Sequence, residues 1–164
     1  MKKFILLALA GALLSTGAAA SEWYLSYFNE DKSVNYVRTD KVKRSENRVT
    51  TWSASAYLKD RTIPYTKITY DLILTYEEVD CEAKTWASLQ GLTYLKGKVV
   101  NEWIETNPEH RRPFEEQGKE FIKVVCGKKP KDVFRVNDPV RLVELTREAV
   151  TYAKRSLHGA PAPF

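Results

Sequence analysis

Histidine, cysteine and methionine are scarce in this chain of 164 residues: two, two and one. His110 sits beside Arg111 and Arg112 in an expected loop, and His158 ends an expected helix. With two cysteines besides, no metal quartet of ordinary spacing can be drawn. There is no Gly-x-Ser-x-Gly elbow and no phosphate-cradling glycine loop. Gly97-Lys98 lacks the preceding glycine that a P-loop needs and reads as a turn. The carboxylates Glu77, Glu78, Asp80 and Glu82 cluster near Cys81, at a strand end with no opposing partner in view. They are expected on solvated surface, not in acid–base catalysis. Neither an enzyme nor a cofactor is expected. Internal repeats and low-complexity tracts are also lacking.

Long apolar runs are limited to one, Phe4 to Leu14. It is shorter than the ~20 residues a membrane span takes. Lys2 and Lys3 precede it, and Ala18-Ala19-Ala20 follows it with the small-x-small pattern of a signal-peptidase site. Residues 1–20 are therefore expected to be a signal peptide cut after Ala20. The Met-Lys-Lys start suits a bacterial leader, so the expected destination is the periplasm or beyond. No cysteine lies near the cut, so a lipoprotein is not expected. The remaining 144 residues carry 24 Lys and Arg against 21 Asp and Glu, a net charge of +3. That mild balance does not point to nucleic acid. An even cysteine count in an exported chain favours a disulfide, Cys81 to Cys126, clamping the end of a sheet to a helix.

The pattern between these points is mostly period two. Glu22 to Phe28 is aromatic-rich and strand-like, Asn29 to Lys32 is a turn cluster, and Ser33 to Val37 resumes a strand. Asp40 to Asn47 reads as a charged loop. From Arg48 to Leu58, Trp52, Ala54, Ala56 and Leu58 share one face. Lys59 to Pro64 reads as a loop. From Thr66 to Val79, Ile68, Tyr70, Leu72, Leu74 and Tyr76 lie opposite Lys67, Thr69, Asp71, Thr75 and Glu77. Thr85 to Tyr94 and Lys98 to Ile104 form a hairpin about Gly97. That makes about six strands in an antiparallel meander.

Pro108 ends the sheet pattern. Pro113 fits the first turn of a helix, with Phe114, Gln117, Phe121, Ile122 and Val125 at helical spacing. Cys126-Gly127 closes that helix, and Gly127 is its expected C-cap. Residues 128–136 read as a basic linker. Asp138-Pro139 starts a last helix, residues 137–158, with a stripe of Val140, Val143, Thr146, Val150 and Ala153. Residues 159–164 are a Pro/Ala tail, expected to be disordered. The expected fold is α+β: a meander sheet with a helix packed on it, one disulfide and an extra C-terminal helix.

The order of several short features resembles the bacterial surface-adhesin protein E family. They are Trp23-Tyr24, Asp31-Lys32-Ser33-Val34, Trp52, Val79-Asp80-Cys81, Tyr94 through Val100, Trp103 through Pro108, and Val124-Val125-Cys126. They run over roughly residues 22 to 127, so residues 21–127 are expected to form one adhesin E-like domain. The resemblance implies a small antiparallel sheet with a helix stitched to it by one disulfide, on Cys81 and Cys126. It also implies attachment to host matrix and plasma proteins without catalysis. The missing tether and the added C-terminal helix support a second expectation: a periplasmic accessory or inhibitor acting on an envelope enzyme or assembly.

Two basic clusters are the candidate ligand contacts: Lys41, Lys43, Arg44 and Arg48, then Lys128, Lys129 and Lys131. Such groups suit anionic glycans, lipid headgroups or acidic proteins. Trp23, Trp52, Trp86 and Trp103 are expected in core and cross-strand packing. The expected partner is a host matrix or envelope protein, with no nucleic acid and no membrane span. Edge-strand pairing would give a homodimer.

Overall fold

The structure is a computed structural model that describes residues 20–28, 33–105, 107, 111–113 and 118–157. The leader, both histidines and the Pro/Ala tail lie outside the described residues, as do Phe114 and Gln117.

Among the described residues, one antiparallel sheet carries nine strands. They are β1 (Ser21–Phe28), β2 (Ser33–Arg38), β3 (Lys43–Ser45), β4 (Arg48–Thr62), β5 (Thr69–Asp80), β6 (Thr85–Leu95), β7 (Lys98–Ile104), β8 (Arg112–Pro113) and β9 (Phe134–Val136). The spatial order is β7-β6-β5-β4-β2-β1-β9, with β3 beside β4 and β8 beside β6. The helices are α1 (Lys119–Cys126) and α2 (Arg141–Leu157).

Six of the strands are those the alternation predicts. The three additions are only two or three residues long, too short to show a period. β3 lies in the expected charged loop, and β9 lies in the expected linker. β8 corrects the reading of Pro113 as a helical residue: Pro113 pairs with Thr85, and the helix starts at Lys119. Proline is tolerated there because a short end strand need not donate through every amide. The expected loop at Lys59 to Pro64 is also corrected, since β4 continues to Thr62. Its register with β5 jumps between Ala56 and Arg61, and this irregular stretch hid the strand.

The β6–β7 turn bears out the hairpin. Lys96 (φ 49°) and Gly97 (φ 81°) both take positive φ, as a two-residue turn matched to strand twist requires.

The sheet has a helix on each face, which explains why β5 is buried on both sides. Even-numbered Ala54, Ala56, Leu72 and Leu74 meet α2 through Leu142 and Val143, with Trp23, Val34, Tyr36 and Val136 in the same core. Odd-numbered Val37, Val49 and Val79 meet α1 through Phe121, Val124 and Val125. Leu142, absent from the expected stripe, is fully buried.

α1 has eight residues, too few to persist alone in water. Cys81 follows β5 directly, and its bond to Cys126 ties the last turn of α1 to the sheet. Gly127 donates its amide to the Lys123 carbonyl at 3.0 Å. A Cβ on Gly127 would stand 2.2 Å from that oxygen, so only glycine fits this exit from the helix.

α2 is seated by packing and one buried hydrogen bond, Tyr36 Oη to Thr146 Oγ1 at 2.7 Å. Asp138 caps it, accepting the Val140 amide at 2.9 Å. β9 lies antiparallel on β1, with Ser21 opposite Val136 and Trp23 opposite Phe134. The stretch after Gly127 thus completes both the sheet and one of its cores.

Candidate binding surfaces

The two basic clusters are 80 residues apart in sequence, and the fold brings them together. β3 folds back on the start of β4, with Arg44 opposite Val49, and Val42 packs into the α1 core. This lays the strand over the end of α1. Arg44 Nη2 donates to the Gly127 carbonyl at 2.9 Å. A second link runs through Glu22. Its amide donates to Asp40 Oδ1 at 3.2 Å, beside Lys41, and its carboxylate holds Lys129 and Arg135, the latter at 2.9 Å. Hydrogen bonds from Lys129 and Arg135 keep the Glu22 carboxyl below the ordinary range.

The expected contact residues therefore differ in what they have left to offer. Lys41, Lys43, Lys128 and Lys131 are exposed, and among the described residues none of them makes an ion pair. Arg44 is oriented by a carbonyl, which leaves its charge uncancelled. Lys129 is paired with Glu22. Arg48 stands apart, 3.4 Å from Glu78. Exposed Glu46 and Asp132 dilute the surface, and among the described residues neither makes an ion pair.

The carboxylates near Cys81 do not act as one group. Glu78 binds Arg111 at 2.9 Å as well as Arg48. Asp80 accepts the amides of Ala83 and Glu82, at 2.8 and 3.1 Å, and these bonds lower its pKa. Glu82 accepts from Asn47. Glu77 corrects the expectation of solvated surface. It is 8% exposed, and burial raises its pKa to about 7, opposed by a hydrogen bond with Ser53. The register sets it between Thr51 on β4 and Ser88 on β6, at an irregularity where Leu89 is the extra residue. Strict alternation gave no sign of this, because it assumes one wet face.

A second surface is apolar. Among the described residues the exposed large hydrophobics are Tyr65, Val99 (52%), Val100 (40%) and Ile104 (70%). Three of these four lie on β7, the end strand of the sheet. The pairing of β7 with β6 shifts register at Val100, which turns both valines outward. The expected aromatic packing holds: Trp23 is buried, Trp52 lies 5.2 Å from Tyr76, and Arg112 lies over Trp86. Trp103 covers Gly91, where a Cβ would come within 2.5 Å of the ring.

Among the described residues no group of three His, Cys, Asp or Glu side chains could hold a metal ion. No helix among them is long and apolar enough to cross a membrane.

A disulfide-stitched antiparallel sheet with a helix on each face, a charged surface and an apolar edge defines a small α+β domain. Its family is shown by a model described as Surface-adhesin protein E, which matches residues 23–127: the chain belongs to the surface-adhesin protein E family. No curated protein and no solved structure matches the chain. The matched stretch ends at Gly127, so β9 and α2 lie beyond it.

Proposed function

We propose that the protein is an exported, non-enzymatic binding module that contacts protein or anionic partners in or outside the cell envelope. The observation that carries this is the convergence of Lys41 and Arg44 with Lys128 and Lys131 beside the end of α1, in a chain of an adhesin family. A set of cations that remains unpaired after folding is poised for a partner's charge. Binding to a panel of purified matrix, plasma and envelope proteins tests the reading. Lys41→Glu with Lys128→Glu should abolish capture of any partner the unaltered protein holds. Undiminished capture would remove the basic surface from the function.

β7 offers the second kind of contact. Its outward valines and Ile104 lie where a sheet can be extended by another strand. A second copy pairing there would give a homodimer. Sedimentation should then show a dimer that Val99→Lys with Ile104→Lys reduces to a monomer. A monomer at every concentration would exclude it.

The alternative is a periplasmic accessory or inhibitor protein. It is favoured by the placement of α2 over one sheet face, outside the matched family region. Release by osmotic shock without surface labelling would support this reading, and surface labelling on whole cells would exclude it.

A further inference from the structure

We infer that the surface between β3 and residues 127–131 is a site for a linear sulfated polysaccharide. This rests on the binding-module reading and narrows it to one ligand chemistry.

The cations are arranged along a strip. On β3 successive side chains face opposite ways, so Arg44, opposite Val49, faces the α1 side together with Val42, and Lys43, opposite Thr50, faces away from it. Lys41 precedes that strand. Lys128 and Lys131 lie on the irregular segment beside it, which Arg44 and Glu22 hold in place. The exposed charges are mostly lysine ammoniums, compact and rotatable. They suit repeated sulfates at variable spacing better than a fixed bidentate fork would. Arg44 already spends an Nη2–H on the Gly127 carbonyl, so its guanidinium has less to give to a planar carboxylate.

Three other polyanions fit less well. Stable membrane attachment takes an apolar insertion beside a basic patch. The described exposed large hydrophobics are Tyr65 and three residues of β7, and none lies on β3 or residues 127–131. Single-stranded nucleic acid needs aromatic platforms for its bases, and β3 and residues 127–131 hold no aromatic residue. An acidic protein partner ordinarily adds a buried apolar anchor to its charge contacts, and the strip offers none. A sulfated polysaccharide needs neither stacking nor burial.

The test uses the mature protein with its disulfide intact and heparin oligosaccharides as the probe, followed by calorimetry over a range of salt. Lys41→Glu/Arg44→Glu and Lys128→Glu/Lys131→Glu should each weaken binding by about tenfold or more and flatten its salt dependence. Lys59→Glu/Lys98→Glu makes the same change in net charge at exposed positions away from the strip. It should leave affinity within about twofold. Equal loss in that control would reduce the effect to overall charge and overturn the site. Equal or tighter binding to anionic lipid vesicles, or to polyglutamate, would overturn it in favour of a lipid surface or an acidic protein. If heparin fails while the strip variants still lose a protein partner, the polysaccharide is excluded and the binding module stands.

Discussion

The two helices cover opposite faces of one sheet and are held in different ways. α1 is short, lies inside the family-matched region and is bonded covalently to the sheet through Cys126. α2 is twice as long, lies outside that region and depends on Leu142, Val143 and Thr146 fitting into the sheet core. A helix of two turns gains too little from burial to fix its own position, so a cross-link supplies what packing cannot. A helix of 17 residues buries enough to dispense with one. The cross-link also has a second consequence. By fixing the end of α1 it fixes Gly127, and through Gly127 the neighbouring basic strip.

The contrast is broken most severely at the sulfurs. Cys81→Ser with Cys126→Ser should lower stability by about 4 kcal/mol in the chain-entropy account of a closed loop of this length, read from denaturant unfolding. The loss should concentrate on α1. Leu142→Ala comes next, at about 3 kcal/mol, since the side chain is fully buried between α2 and the sheet. Removing it should leave α1 protected and loosen α2.

Glu77 gives a pH test on the α1 side. Its pKa rises from 4.5 to about 7 on folding, so the folded state takes up a proton that the unfolded state has lost. Stability is therefore fully present below pH 4.5 and falls as pH rises through 7. The fall reaches about 3 kcal/mol at most. Glu77→Gln should flatten this slope and raise the melting temperature at pH 8. A wild-type profile flat from pH 4.5 to 8 would contradict the burial. The smallest expected effect is Tyr36→Phe, which removes the bond to Thr146 and should cost about 1 kcal/mol. An equal loss in Tyr36→Phe/Thr146→Val would show that the bond itself carries the effect.

Much of this frame was legible in the sequence. The six long strands follow from alternation, the Lys96-Gly97 turn from its glycine, and the disulfide from an even pair of cysteines in a chain expected to be exported. What escaped was set by contacts distant in sequence. β3, β8 and β9 are strands only because a neighbour pairs with them. Leu142 lies inside the core because α2 rotates to place Thr146 on Tyr36. Glu77 is buried because the second face of the sheet is covered there, and no period in β5 announces that. At the candidate site each basic cluster was visible alone. Their union depends on Arg44 reaching Gly127 and on Glu22 bridging to Lys129, which no local pattern encodes.

Amide hydrogen exchange, with and without reductant, measures the difference between the helices directly. Reduction should strip protection from residues 119–127 and leave Leu142 to Thr146 protected. Protection of α1 that survives reduction, or loss of both helices together, would show that the bond between Cys81 and Cys126 does not distinguish them.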